Sequence, residues 1–298
     1  MISSIELIIV VSADTADDVA ALARSLEPQL RADEAIHVRA VNNAASKATL
    51  DRLAQFPWIP VSDFGGNLGY GLAINRAVRA TPSQSGWIVA CNADLVFPPG
   101  SLAAMRRALD GASENVACAA PLLLDPPHLG SCTQPSIGAF PTLAGLLAGR
   151  LQPRRTRKYR PTPRQAANVD WATGACLALR REAFEAVGGF DDSLFLDYEE
   201  TDLCKRLADA GWTTRFDPSW KVIHTSPNAQ RPPDPSRQVH TRRSLVRYLA
   251  RHRPEWEVRT MEFLLRSALA IHRRSHPFAP SWRAGVETCR LLRKPTGP

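Results

Sequence analysis

The sequence predicts an α/β fold built on a mostly parallel sheet with helices on both faces, and three observations carry that expectation. Strand-like and helix-like segments alternate through the first half of the chain. The strand-like pieces are short, nearly unbroken apolar runs, the pattern of strands covered on both faces. Polar clusters recur at their carboxyl ends, where sheets of this kind bind ligands.

IELIIVVS (Ile5 to Ser12) reads as a buried first strand, and DDVAALARSLEPQL as an amphipathic helix with Val19, Leu22, Ala23 and Leu26 on one face. HVRAVNN predicts a second strand, ATLDRLAQF a helix, IPVSDF a strand, YGLAINRAVRA a helix and GWIVACNAD a strand. Regularity lapses between Pro121 and Gln165, and no charged residue falls between Asp125 and Arg150. That run reads either as a packed connector or as a loop touching a membrane interface. Regular structure resumes from Val169 to His224. The proline-rich NAQRPPDP then leads into helical SLVRYLARH and TMEFLLRSALAIHRR. The expected organisation is a main domain over 1–228 and a basic helical extension over 229–298.

The chain has 298 residues, 44% hydrophobic and 22% charged, enough for a large core. Its net charge of +8 is uneven. Residues 231–298 hold 15 Lys or Arg against 5 Asp or Glu, whereas the rest of the chain is close to neutral. A second basic stretch, RLQPRRTRKYRPTPR (Arg150 to Arg164), has seven basic residues and no acidic one. It reads either as a solvated loop or as a site for phosphate-rich surfaces such as anionic headgroups, lipid diphosphates or nucleic acid. Nucleic acid is disfavoured because the basic stretches carry neither a recognition motif nor interleaved aromatics. The six cysteines show no CxxC spacing and mostly sit in apolar runs, which predicts buried reduced thiols and no zinc site. MISSIELIIVVSAD lacks a positive leader and a cleavage site, and no stretch of 18 apolar residues predicts a membrane span.

Three constellations carry chemistry. WIVACNADLVFPPGSL sets Asn92 and Asp94 just after a buried strand, placed either to form a turn or to hold a hard divalent cation against a diphosphate. FGGNLGYGLAINRAV sets Asn67, Gly69 and Gly71 before a helix carrying Asn75, where glycines let backbone amides approach an anionic or sugar ligand. YEETDL (Tyr198 to Leu203) puts three carboxylates into four positions after the glycine-bearing VGGFDD. Crowded carboxylates repel one another, so a fold that keeps them together points to chemistry. Asp202 stands four residues before Arg206, a spacing that predicts an ion pair along one helix face.

The run VDWATGACLALRREAFEAVGGFDDSLFLDYEETDLCKRLADAGWTTRFDPSWKVIH, with NLGYGLAINRAV and CNADLVFPPG upstream, resembles the inverting nucleotide-sugar glycosyltransferases of family 2, in particular their bacterial rhamnosyltransferase-like branch. The resemblance covers about residues 5–226. It implies a GT-A fold and transfer of a sugar, with rhamnose a candidate, from a nucleoside diphosphate to a hydroxyl with inversion. Asp94 matches the metal-binding aspartate of a DxD-like motif, with Asn92 in the first position, and His224 a histidine that completes the Mg²⁺ or Mn²⁺ site in some members. Ser12, Asp14, Asn42, Asn67, Gly69, Gly71 and Asn75 match donor-contacting positions, and Trp171, Thr173 and Gly174 the acceptor side. Glu200 is the first candidate for the general base and Glu199 the second.

The chain departs from the family at three places. Ser12, Ala13 and Asp14 end the first strand where Thr-Tyr-Asn is usual, Asn42 replaces the aspartate that reads the nucleobase, and Glu200 stands for an aspartate. The expected partners are a nucleotide-sugar donor, a glycan or lipid-linked acceptor and an anionic membrane surface. Those partners imply a cytoplasmic protein peripheral to the inner face of the plasma membrane. A catalytically silent relative that binds nucleotide or glycan and scaffolds other enzymes is the alternative reading.

Overall fold

The structure is a computed structural model and describes residues 4–80, 85–130, 132–149, 159–225, 234–272 and 276–293. In chain order the elements are β1 (Ile5–Ala13), α1 (Ala16–Leu30), β2 (Ile36–Ala45), α2 (Lys47–Leu53), β3 (Val61–Asp63), α3 (Tyr70–Ala80), β4 (Trp87–Asn92), β5 (Leu95–Val96) and α4 (Ser101–Asp110). They continue through β6 (Val116–Leu124), β7 (Ile137–Gly138), α5 (Leu143–Ala148), β8 (Ala167–Val169), β9 (Trp171–Ala172), β10 (Cys176–Arg180), α6 (Arg181–Ala186), α7 (Glu199–Asp209) and β11 (Thr213–His224). Three helices follow: α8 (Pro235–His252), α9 (Glu255–Ile271) and α10 (Ala279–Arg293). The alternation read from the sequence is present throughout the first half. The predicted boundary at 228/229 lies outside the described residues.

Among the described residues the main sheet runs β3-β2-β1-β4-β10-β6-β11-β5, with β8 also paired to β11. Strands β1 to β4 are parallel, with Ile5 opposite Ile36 and Trp87. The order reverses between β2-β1 and β4, which opens a crevice at the carboxyl ends of these strands. Strand β10 runs antiparallel to both β4 and β6. The reason lies in the path of the chain: β6 ends at the carboxyl end of the sheet and β10 starts there, with Cys176 opposite Cys91, so β10 runs back.

Side chains of successive strand residues point to opposite faces, and the core divides accordingly. Leu7, Ile9 and Val11 pack with Leu22 and Leu26 of α1 and Met105 of α4, whereas Ile8 and Val10 pack with Ile74 of α3 and Leu203 of α7. The Val19, Leu22, Ala23 and Leu26 face predicted for α1 is buried. Glu6, the one charge within the β1 run, is buried between Arg39 at 2.7 Å and Arg181 at 2.5 Å. A third cluster joins α8, α9 and α10 through Val246, Leu249, Met261 and Val286, and it also takes in Leu143 and Tyr198 from the main body. The uncharged run is thus a packed connector at Leu143, whose N–H donates to Glu257 of α9 at 2.7 Å.

All six cysteines are free, and five are buried. Cys132 differs from the expectation by being exposed. Of the basic stretch Arg150 to Arg164, residues 150–158 lie outside the described residues.

Candidate active site

The carboxyl edge of β1, β2 and β4 brings the first group of predicted residues together. Val10 is opposite Asn92 and Val11 opposite Asn42, so Ser12, Asn42 and Asn92 share that edge. Asp14 is exposed just beyond β1. The turn at 12–15 is fixed from α2: Thr49 Oγ1 donates to Ala13 O and accepts from Thr15 N, both at 3.0 Å. Asn42 uses its carboxamide internally, accepting from Ala45 N at 2.9 Å and donating to Asp63 Oδ2 at 2.6 Å. Asp63, which the sequence reading left out, is therefore the exposed carboxylate at this end. Its pKa is lowered, first by the N–H of Gly65 and then by the Asn42 amide. The signal for it was its place at the end of the third predicted strand.

Asp94 and His224 come together because β5 pairs antiparallel with the end of β11, Leu95 lying opposite His224. His224 Nε2 is 3.4 Å from Asp94 Oδ1, and both residues are buried. Gln134 fixes the imidazole. Its Nε2 donates to His224 O at 2.8 Å and Leu124 O at 3.3 Å, which turns its Oε1 toward His224 Nδ1 at 3.1 Å. An amide oxygen only accepts, so Nδ1 carries a proton and Nε2 is the ring nitrogen turned toward Asp94. With Nε2 unprotonated, the ring nitrogen and the carboxylate would together supply two ligands to a cation. No group of three or more His, Cys, Asp or Glu suited to a metal occurs among the described residues, so other oxygen ligands would complete such a site. Those are what a diphosphate brings.

The acidic run begins α7. Asp197 and Tyr198 precede it with φ of +60° and +72°, both in the left-handed region. For tyrosine this is rare, and such residues cost on the order of 1–3 kcal/mol each unless the surroundings hold them. The bend turns Glu199 and Glu200 inward, where both are buried. A Cβ placed on Gly174 would lie 3.7 Å from Glu200 Cβ and 3.4 Å from the Tyr70 ring. Glu200 thus sits against Gly174, whose carbonyl accepts from Tyr70 Oη at 2.6 Å. Burial pushes the Glu199 carboxyl well above the usual range, with the charges of Glu200 and Asp197 adding to it, and Glu199 Oε2 has no hydrogen-bond partner. Burial and the neighbouring carboxylates thus favour the protonated form of Glu199.

The acceptor-side residues join the two halves. Trp171 is buried in β9 and donates to Ala139 O at 2.8 Å, and Thr173 N donates to Ser136 O at 2.8 Å. Asn92 N donates to Ala175 O at 2.9 Å, which ties the end of β4 to the residue after Gly174. The backbone two residues before Asp94 is thus tied to Ala175, next to the Gly174 against which Glu200 packs.

The glycine-bearing loop differs from its expected role. Asn75 accepts from Phe190 N at 3.0 Å and donates to Phe190 O and Asp192 Oδ1, so its carboxamide is engaged by the 188–192 turn and is not turned to a donor. Gly69 and Gly71 leave room for that same segment: a Cβ would come within 2.4 Å of Phe195 O and 2.8 Å of Phe190 Cβ. Asn67 closes the loop locally, its Oδ1 accepting from Gly69 N at 3.0 Å and from Asn43 Nδ2 at 3.2 Å. These residues form the seat on which the approach to the acidic run rests.

Helix α8 holds the run from the other side. Arg237 and Thr241 bind the Asp197 carboxylate at 2.6 and 2.5 Å, Ser244 donates to Leu196 O at 3.0 Å, and Arg251 meets Asp191 at 2.6 Å. Asp202 accepts from Arg206 and from His252 Nε2, each at 2.7 Å. Burial opposes its ionisation, but the His252 hydrogen bond and the charges of Arg206 and Arg251 hold its pKa below the usual carboxylate value. Arg237, Arg251 and His252 of the tail are therefore turned inward, onto carboxylates flanking the candidate base.

Comparison with known proteins follows the same lines. The family model described as glycosyl transferase family 2 matches residues 7–188. The chain is 32% identical over 268 residues to the N-acetylglucosaminyl-diphospho-decaprenol L-rhamnosyltransferase of Mycobacterium tuberculosis, covering 83% of this chain and 84% of that protein. It is 27% identical over 195 residues to the rhamnosyltransferase WbbL of Escherichia coli K12, covering 63% of this chain and 73% of that one. Among solved structures, it resembles a mannosyltransferase from Pyrobaculum calidifontis in complex with GDP-Man and Mn²⁺, with a TM-score of 0.54, 14% identity, and 98% and 74% of the two chains covered. GalNAc-T7 with UDP, GalNAc and Mn²⁺ aligns with a TM-score of 0.62 and 13% identity, covering 99% of this chain and 56% of that one.

Proposed function

The chain belongs to glycosyl transferase family 2, and from that premise we propose that this glycosyltransferase moves a sugar, with rhamnose the leading candidate, from a nucleoside diphosphate to a hydroxyl of a lipid-linked glycan, with inversion. The observation that carries this reading is the Asp94–His224 pair near the end of β4, whose Asn92 is bonded to Ala175 beside the Gly174 that packs against Glu200. The relatives' names supply the sugar and the lipid-linked acceptor.

In this reading the acceptor sits against Gly174 and Trp171. Glu200 takes the proton of its hydroxyl as that oxygen bonds to the anomeric carbon, from the face opposite the breaking bond to the diphosphate. Asp94 and His224 hold Mg²⁺ or Mn²⁺, which when bound neutralises charge on the departing diphosphate. Two structural neighbours were solved with Mn²⁺. Ser12, Asp14, Asn92 and Asn67 border the donor crevice, and Asp63 supplies the carboxylate that Asn42 lacks for a ring N–H of the base. Residues 1–228 carry the reaction, and 229–298 support the acidic run.

No helix among the described residues is long and apolar enough to cross a membrane. A peripheral contact at the inner membrane face is supported by the exposed Trp256, Phe263 and Ile271 along α9.

Incubation with a panel of nucleotide sugars, Mn²⁺ or Mg²⁺ and a lipid-linked N-acetylglucosamine acceptor tests the proposal. Glu200→Gln is expected to lower kcat by about 10²–10⁴-fold with its fold intact, and Asp94→Ala to abolish metal-dependent turnover. Parent-like rates in both variants would refute the site. Donor binding without turnover by the parent would favour the silent scaffold.

A further inference from the structure

We infer that the groove lined by Arg160, Arg164 and Lys221 is the subsite for the diphosphate of the acceptor, an inference that rests on the lipid-linked acceptor proposed above. The groove has a volume of about 860 Å³, and its walls include Leu122, Thr133, Pro135 and Tyr159.

Three features of this groove point to a bound anion. The first is unbalanced charge. Arg160, Arg164 and Lys221 are exposed, and their side chains make no hydrogen bond or ion pair among the described residues. Arg206, Arg237, Arg251 and Arg253, by contrast, are each held by a carboxylate. Among the described residues no acidic side chain lines the groove. Three cations around one cavity raise its positive potential and attract a multivalent anion.

The second feature is a fixed wall. Arg160 N donates to Ile137 O at 2.9 Å, which ties this segment to β7, and β7 pairs with β9. Tyr159 packs against Trp171 with ring centroids 5.8 Å apart. The groove is thus built onto the strand that leads directly to Thr173 and Gly174, beside Glu200.

The third feature is position. Thr133 and Pro135 of the groove flank Gln134, which positions His224, so the groove borders the candidate site. An acceptor whose first sugar presents its hydroxyl to Glu200 would lay its diphosphate in the groove. Guanidinium groups suit phosphate oxygens by paired charge-assisted hydrogen bonds.

The test uses the full chain and two soluble probes: N-acetylglucosamine linked through a diphosphate to a short prenyl chain, and N-acetylglucosamine on a neutral alkyl chain. Binding is measured by calorimetry with and without donor, alongside KM for each substrate. In Arg160→Ala/Lys221→Ala the affinity for the diphosphate probe is expected to fall by about tenfold or more, with affinity for the neutral glycoside and KM for the donor unchanged. Arg164→Ala and Arg160→Lys, each altering a single exposed side chain, should give smaller losses in the same direction. Equal affinity of parent and double variant for the diphosphate probe would overturn the subsite. So would a loss confined to phosphatidylglycerol vesicles, which would make the groove a headgroup contact. Because binding is read without turnover, a parent that binds the diphosphate probe through these cations but transfers no sugar would sink the enzymatic reading and leave the subsite standing.

Discussion

Gln134 Oε1 faces His224 Nδ1 at 3.1 Å, across 90 residues of sequence. The contact sets which ring nitrogen points at Asp94, and partners of this kind commonly govern metal affinity by about 10–100-fold. Gln134→Ala is therefore expected to weaken Mn²⁺ binding by about tenfold, measured by electron paramagnetic resonance titration with a nucleoside diphosphate present. Unchanged affinity would remove Gln134 from the site.

Glu199 offers a test on stability. Its pKa is raised in the fold, so the folded protein favours its protonated form, and stability is lost as pH climbs from its ordinary value near 4.5 toward the raised one. Glu199→Gln cannot ionise and escapes that loss. Its melting temperature should match the parent near pH 4.5 and exceed it by several degrees at pH 8. A parent-like melting curve at both values would contradict a buried neutral Glu199.

The hold of Arg237 and Thr241 on Asp197 predicts a kinetic phenotype far along the chain from Glu200. Arg237→Ala releases one support of two consecutive left-handed residues, and misplacement of a base by about 1 Å can cost on the order of 10²-fold in rate. The expected result is a lower kcat with donor KM unchanged, and substantial recovery in Arg237→Lys. Full activity of both Arg237→Ala and Thr241→Val would show that the bend needs neither.

Asp63→Asn keeps the shape of the β3 end but removes the exposed carboxylate that accepts from Asn42. Donor KM should rise several-fold with kcat little altered, and the preference among nucleobases should relax. A KM equal to the parent's would place the base elsewhere.

Much of this molecule was legible because it depends on local pattern. The apolar runs at Ile5 and Trp87 had to be strands, the stripe from Val19 to Leu26 had to face a core, and Asp202 had its partner one helical turn away at Arg206. The candidate residues Asp94, Glu199, Glu200 and His224 were also visible, since each follows an apolar run or a glycine turn. The role of Asn75 was not legible, because a carboxamide on a helix that follows a glycine loop looks the same whether it faces a ligand or the 188–192 turn. Gln134 carried no signal of its own, having no distinctive neighbours in sequence, and Asp63 carried only its place at the end of a predicted strand.

The sequence by itself determined the alternation of elements, the residue types able to hold a cation and accept a proton, and the charge excess of the tail. Only the tertiary structure decided that Glu199 is buried beside Glu200 and Asp197 and favours its protonated form, because burial and neighbouring charge depend on packing. It also decided where the tail's charge goes: α8 folds back so that Arg237, Arg251 and His252 meet acidic groups beside the candidate base. A count of charges along the chain has no direction, and direction is what packing supplies.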